Sequence, residues 1–250
     1  LRVGTFQYAA AMQDPALLQR LVDVAIARHH PAASEAEVPA LALFEAVLDA
    51  QAGLVASWMH VGFIHGVMNT DNTTISGETI DYGPCAFLDT FNPATVFSSI
   101  DHGGRYAFGN QPSIVQWNLA RLAEALLPLI DADQDIAVGL ATDLLQEFPA
   151  RFGIAWRRGM RAKLGLTTKQ DGDGELIDDL LSTMHEQSSD HTQMFRALSS
   201  EVRGERTPVL DQLADRTALD AWLGRYAARL ATEASPPEDV AAAMDQANPV

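Results

Sequence analysis

Helical periodicity runs through most of this chain and breaks once, and that break constrains both the fold and the chemistry. From Gly62 to about Gly83 the apolar residues stop recurring every three or four positions. Two short β-prone stretches appear instead, Thr73-Thr74-Ile75 and Thr79-Ile80, joined by Ser76-Gly77-Glu78. Turn formers between β-branched runs predict a small β-hairpin. On either side the spacing is that of helices. Asp14-Pro15 sets a capping side chain ahead of a proline in the first turn, and Leu17, Leu18, Leu21, Val22 and Ile26 follow at helical intervals until Pro31. Ser34 with Glu37 three residues on reads as a capping box. It is expected to open a long helix through Leu43, Phe44, Val47, Leu54, Val55 and Trp58, central in the domain because it is apolar on most faces. After a Gly- and Asn-punctuated loop that runs to Pro112, helices are predicted at about 112–130, 134–148, 150–164, 174–187, 190–200, 218–233 and 237–246. The expected fold is mainly α with a small β-hairpin, one α-rich domain over 1–250. Strand content is too small for a doubly wound sheet or a β-sandwich.

Composition narrows the partners. With 47% hydrophobic residues the chain can bury a real core. A net charge of −16 argues against nucleic acid or an anionic membrane as a partner bound over a broad basic surface, while leaving room for a local basic pocket. The single cysteine, Cys85, excludes an intrachain disulfide and suits a reducing compartment. No apolar run of about 18 residues escapes polar interruption, so no transmembrane helix is expected, and no signal peptide is visible. The Ala-rich acidic composition points to the bacterial cytoplasm. Both ends, Leu1 and Asn248-Pro249-Val250, read as cut from a longer chain.

The polar residues that could do chemistry concentrate in the break: His65, Asn69, Asp71, Asn72 and Asp81. Phosphoryl and nucleotidyl transfer need a carboxylate and an amide or carboxylate oxygen to hold a divalent cation on the phosphates, and a further carboxylate near the attacking hydroxyl. Asn72 and Asp81 sit at the two ends of the short hairpin, and Asp71 is free to face the other way. Protein kinases place the same chemistry in H-R-D-x-x-x-x-N followed by D-F-G. His65 and Asn72 keep the His-to-Asn interval and Asp81-Tyr82-Gly83 stands for the second motif, but Val67 occupies the place of the catalytic aspartate. Taken singly, each of these residues is an ordinary turn former. The interval, the Asp71-Asn72 pair and the following Asp-Tyr-Gly together favour a nucleotide site.

Longer segments carry a family resemblance. His65-Gly66-Val67-Met68-Asn69-Thr70-Asp71-Asn72, Thr79-Ile80-Asp81-Tyr82-Gly83-Pro84 and Gly104-Arg105-Tyr106-Ala107-Phe108-Gly109-Asn110-Gln111-Pro112 resemble signature segments of the selenoprotein O family. So do Arg2-Val3-Gly4-Thr5-Phe6, Trp117-Asn118-Leu119-Ala120-Arg121-Leu122-Ala123 and Asn248-Pro249. The resemblance implies a protein kinase-like fold, of which this chain would be the C-terminal lobe, with a catalytic hairpin at about 62–84, an activation-loop-like region at 84–111 and a helical remainder over 112–250. It implies transfer of AMP, not phosphate, from ATP to Ser, Thr or Tyr hydroxyls of protein substrates. Asp71 would accept the proton, Asn72 and Asp81 would hold Mg²⁺ (Mn²⁺ being the alternative), and Asp81 would contact ATP through the metal. The family's glycine-rich loop, Lys–Glu pair and phosphate-binding arginines belong to an N-terminal lobe, and its redox-active residue to a C-terminal end, none of which the chain is read to contain. Weak nucleotide affinity follows. An atypical kinase-like phosphotransferase and a non-catalytic scaffold are the alternatives.

Other features carry blander expectations. Asp171-Gly172-Asp173-Gly174-Glu175 opens like a calcium loop, but Leu176 and Ser182 stand where such a loop needs Gly and Glu, so a flexible acidic helix start is expected. Arg105 after Gly103-Gly104 is expected in a turn, tied to a carboxylate. Arg157, Arg158, Arg161 and Lys163 form the one basic cluster and are expected in ion pairs. The histidines lack metal-ligand spacing, and His65 reads as an anchor of the loop. Cys85 is expected as a small buried residue.

Overall fold

The computed structural model describes residues 1–249, and the chain is mainly helical with one two-stranded antiparallel sheet. It forms two compact units, the first made of Leu1–Ala56, His65–Cys85 and Val96–Ala155, the second of Ser57–Ile64, Ala86–Thr95 and Trp156–Val250.

The first unit is built around α1 (Val3–Ala11), α2 (Pro15–His29), most of α3 (Pro39–His60), α4 (Gln111–Ile130) and α5 (Gln134–Gln146). α2 begins where its sequence says it should: Asp14 accepts from the backbone N–H groups of Ala16 and Leu17 at 3.0 and 3.1 Å, satisfying two donors that helix geometry orphans. α3 does not start at the expected capping box. Ser34 lies in a 3-10 turn, Pro31–Glu35, where its hydroxyl donates back to Pro31 O at 2.7 Å. The local bond competes with the cap, and the helix opens on Pro39 instead. α3 is long and apolar enough to cross a membrane, with a mean hydropathy of 1.4 in its most apolar stretch. It is a core helix nonetheless. Leu43, Phe44, Val47 and Leu48 are fully buried, and its carboxylates Glu45 and Asp49 both receive Arg151, at 2.8 and 2.7 Å.

α1, to which the sequence pattern assigned no helix, packs on α4, and α4 on α5. The predicted hairpin is absent. Thr73 to Ile80 form a turn whose closure uses a side chain: Thr74 Oγ1 donates to Glu78 O at 2.7 Å and receives Glu78 N–H at 3.0 Å. One hydroxyl thus occupies both groups that a backbone ladder would have paired. Thr74 pairs with Arg2 in an isolated bridge.

In the second unit β1 (Phe63–Ile64) runs antiparallel to β2 (Ala86–Phe87), with Phe63 opposite Phe87 and Ile64 opposite Ala86. The strands therefore bracket the polar segment instead of lying within it. The unit's helices are the last residues of α6 (Phe148–Lys163), α7 (Asp173–Glu186), α8 (His191–Val202), the short α9 (Thr207–Leu210), α10 (Arg216–Leu230) and α11 (Pro237–Ala247). α7 packs on α10, and α8 on α9 and α11. Buried Trp222 and Tyr226 stack at 4.9 Å between ring centres, their polar tips satisfied by Leu176 O and Leu164 O at 2.8 and 2.9 Å. The acidic start of α7 is not flexible. Asp173 is buried, caps Gln170 N–H and meets Arg229 at 2.7 Å.

The basic cluster also departs from expectation. Lys163 falls on the apolar stripe of Met160 and Leu164, is 3% exposed, and sets its ammonium 4.1 Å above the Phe195 ring. Burial pulls it down to about 7. Arg157, Arg158 and Arg161 make no ion pair among the described residues. Two histidines, His60 half-buried and His191 buried, share the neighbourhood of Lys163. His60 stacks flat on Trp156 at 5.0 Å and donates from Nε2 to Trp156 O at 2.9 Å. Its ring lies against Gly159, where a Cβ would fall 2.0 Å from Cε1, so no other residue fits there. His191 packs between Phe91 and Phe195. Burial lowers His60 to about 4 and His191 to about 3.

Both folded pKa values lie below the unfolded histidine value of about 6.5. The unfolded chain therefore binds more protons between these limits, and stability falls as pH drops through that window. Urea unfolding should lose about 2 kcal/mol per histidine between pH 7 and pH 5, at about 1.4 kcal/mol per pH unit. His191→Phe, sized for an aromatic pocket, should lose correspondingly less over the same interval.

Candidate active site

The site is a loop without a ladder, held by side chains. His65, 1% exposed, donates from Nε2 to Ile80 O at 2.8 Å, while its Nδ1 faces Val67 N–H at 3.4 Å. One ring nitrogen gives and the other accepts, which defines a neutral imidazole, and burial pushes its pKa below the ordinary value in the same direction. Its own N–H donates to Gln111 Oε1 at 3.1 Å. The reading of His65 as an anchor holds.

Five residues on, Thr70–Asn72 forms a 3-10 turn capped by Asn69, whose Oδ1 accepts from Asp71 N–H at 2.9 Å and Asn72 N–H at 3.1 Å. Asn118, fully buried on α4, donates from one amide nitrogen to Met68 O at 2.9 Å and Thr73 Oγ1 at 2.8 Å. It clamps the loop on both sides of the turn.

Of the three residues predicted to act, two meet directly. Asn72 Nδ2 donates to Asp81 Oδ2 at 2.6 Å and to Val67 O at 3.1 Å. With its nitrogen fixed by two acceptors, the amide points its oxygen away from them. Asp81 sits at φ +59°, a left-handed conformation that costs a non-glycine residue on the order of 1 kcal/mol and collects at functional sites. The pair is held across the turn in a strained, exposed place. Val67, which stands where a kinase has its aspartate, contributes backbone atoms only.

Asp71 lies beside the pair with its side chain on the first turn of α1. Its Oδ1 lies so close to Gly4 that a Cβ there would fall 2.2 Å away. Arg2 donates from Nη1 to Asp71 O at 3.1 Å, and α1 is docked by Val3 N–H on Thr73 O at 2.9 Å and Ile75 N–H on Leu1 O at 3.1 Å. The positive end of a helix thus faces the carboxylate. Arg2, Gly4, Gln111 and Asn118 are the residues that chemical pattern missed. Asn118 gave one signal, an amide on the apolar stripe of Val115, Leu119 and Leu122. Cys85 is half-buried rather than buried, its thiol on Tyr82 O at 3.0 Å.

Comparison with known proteins decides the family. The family model described as protein adenylyltransferase SelO matches residues 1–250. The chain belongs to the SelO family. It is 55% identical over 256 residues to a protein nucleotidyltransferase YdiU of Mycolicibacterium smegmatis, covering all of this chain and 50% of that one. The YdiU proteins of Cereibacter sphaeroides and Alcanivorax borkumensis match at 57% and 54%, over 94% and 100% of this chain and 49% and 50% of theirs. The chain spans about half the length of the curated relatives it matches.

The donors suit a hard divalent cation. Among the described residues no group of three His, Cys, Asp or Glu side chains could hold a metal by itself. An Asn oxygen and an Asp carboxylate are what Mg²⁺ uses when phosphates and water fill its remaining positions, and Asn72 brings its oxygen to Asp81 only by turning the amide whose nitrogen now faces it. Both lie at the rim of the loop, where a large anionic ligand can reach them.

Two substitutions test this geometry. Gly4→Ala at a helical position ordinarily stabilises by up to about 1 kcal/mol; here it should destabilise by about 1–2 kcal/mol, because the Asp71 carboxylate must move. In an Asp71→Gly background the sign should reverse, as read by urea unfolding. Asn118→Ala should cost about 2–3 kcal/mol by stranding Met68 O and Thr73 Oγ1. Amide exchange at Asp71 and Asn72 should speed up well beyond that at α5.

Proposed function

We propose that these residues form the metal- and acceptor-handling half of a protein adenylyltransferase, the C-terminal lobe of a kinase-like fold. The reaction moves AMP from ATP to Ser, Thr or Tyr hydroxyls of protein substrates. The observation that carries this is the Asn72–Asp81 contact with Asp71 beside it on a separate support, in a chain whose family is described by that activity.

Asn72 Oδ1 and Asp81 would hold Mg²⁺ (or Mn²⁺). A cation there neutralises phosphate charge and orients the α-phosphate for in-line displacement of pyrophosphate. Asp71 takes the proton of the acceptor hydroxyl. Its carboxylate is exposed, as a base that meets a macromolecular substrate must be, and α1 fixes its position so that little reorganisation is needed at the moment of transfer. Arg2, one N–H on the Asp71 carbonyl, keeps its other donors for a phosphate oxygen. Val67 matters by what it removes. Without a carboxylate at that place, the base lies four residues further along, on the far side of the Asn69 cap. The displaced base favours a displaced electrophile, the α- over the γ-phosphorus. The bacterial cytoplasm, where ATP and protein acceptors meet, is the proposed setting.

The test uses ATP labelled at the α- or γ-phosphate, with a protein of the relatives' full length carrying these residues. Label from the α position alone should enter protein. Asp71→Ala should cut incorporation by about 10²–10⁴-fold, and Asp81→Ala should raise the Mg²⁺ concentration required. Label entering only from the γ position would show a phosphotransferase.

A further inference from the structure

The side chain of Arg105 is not tied to a carboxylate as its sequence context suggested, although its backbone N–H is. Both oxygens of Asp101 are taken by backbone N–H groups, those of Arg105 at 2.8 Å and Tyr106 at 2.7 Å. Asn110 closes the same loop on Gly104 O at 2.8 Å. The loop is rigidly made, and its one arginine side chain is thrown onto the ring of Trp117, 4.9 Å from the centroid. Arg121, one helical turn along α4, lies over the same indole at 5.2 Å. Two guanidinium groups therefore converge on a single tryptophan that is 43% exposed. Glu124 partly offsets Arg121 at 2.6 Å. Arg105 has no carboxylate within 4.0 Å among the described residues.

Each of the two cation–π contacts is worth about 0.5–1 kcal/mol at an exposed site, and they leave the donors of Arg105 without a carboxylate partner, open to an anion from outside the chain. The same segment leaves Ile100 77% and Phe97 44% exposed, the mixture of apolar and arginine surface that protein interfaces select. Its position is fixed against the catalytic loop from both ends. Gln111 binds His65 N–H, and Asn118, next to Trp117, binds Met68 O and Thr73 Oγ1. A ligand held on this platform is thus held in a fixed relation to Asp71.

We infer that Arg105, Trp117 and Arg121 form a docking platform for an acidic segment of the protein substrate, one that pairs Glu or Asp with an apolar side chain. The inference rests on the reading of protein as the substrate, but not on the transfer chemistry. The opposite sign of charge, concentrated on two arginines, is what selects this occupant over a basic or neutral one.

The platform is tested by binding without nucleotide. The probes are a Ser-centred peptide of about a dozen residues rich in Glu and Leu, and its counterpart with every Glu replaced by Gln. The acidic peptide should shift the Trp117 indole N–H resonance, assigned through Trp117→Phe. It should bind at least about tenfold more tightly than the Gln peptide and weaken as salt rises. Arg105→Gln and Arg121→Gln, each checked for an unchanged melting temperature, should erase that preference. Equal binding of the two peptides, a shift that avoids Trp117, or undiminished binding to the double variant would overturn the platform. AMP incorporation is a separate measurement: its failure with the peptide preference intact would sink the transferase reading and leave the platform.

Discussion

A single buried amide decides whether this site exists. The loop that carries Asp71 and Asn72 has no sheet to belong to, since β1 and β2 contribute two residues each and lie outside it in sequence. What fixes the turn carrying Asp71 and Asn72 is Asn118, reaching from α4 to Met68 O before the turn and Thr73 Oγ1 after it. Removing a donor from two buried acceptors costs far more than making the bonds contributes. The arrangement therefore tolerates little slack, and the loop inherits the rigidity of α4. Gln111, in the first turn of the same helix, extends that control to His65. One helix thus positions the anchor, the turn and the exposed Trp117.

The loop also shows how strain can be confined to the place where it is useful. Asp81 is the one member of the predicted set in a left-handed conformation, held by Asn72 and followed by a turn at Gly83-Pro84. His65 supports the preceding residue by binding Ile80 O. The surrounding contacts over-determine the backbone, so the carboxylate keeps its direction. Asp71 has different support, the first turn of α1. Two carboxylates with independent supports can serve two roles, which a single flexible loop would not allow.

The candidate residues were legible in the sequence because their spacing is local. His65, Asn72 and Asp81 lie within seventeen residues, and their intervals survive whatever the backbone does between them. The helices were legible for a related reason: Asp14-Pro15 and the apolar stripes act within a few residues. What was not legible depends on competition or on distance. Ser34 chose Pro31 O over a helix cap, and Thr74 closed a turn that looked like a hairpin. Neither choice is encoded in propensity. Lys163 is more instructive. Its charge placed it with Arg157, Arg158 and Arg161, but its register placed it with Met160 and Leu164, and register won. Gly4 and Arg2 could not be found at all from local sequence, because their partner is Asp71, 67 and 69 residues away.

The substitution of Val67 acquires its meaning from these long-range contacts. In isolation a valine at a kinase aspartate position describes a dead enzyme. Here its backbone is fully used, the carbonyl by Asn72 and the N–H by His65, so the residue is a fixed point of the loop and its side chain need only fill space. A carboxylate stands four residues on, past the Asn69 cap, where α1 receives it. That placement requires a helix start with no side chain at its second position, and Gly4 supplies it. Asp71, Gly4 and Val67 are thus one structural solution: the carboxylate, the helix start that receives it and the fixed point of the loop that precedes it.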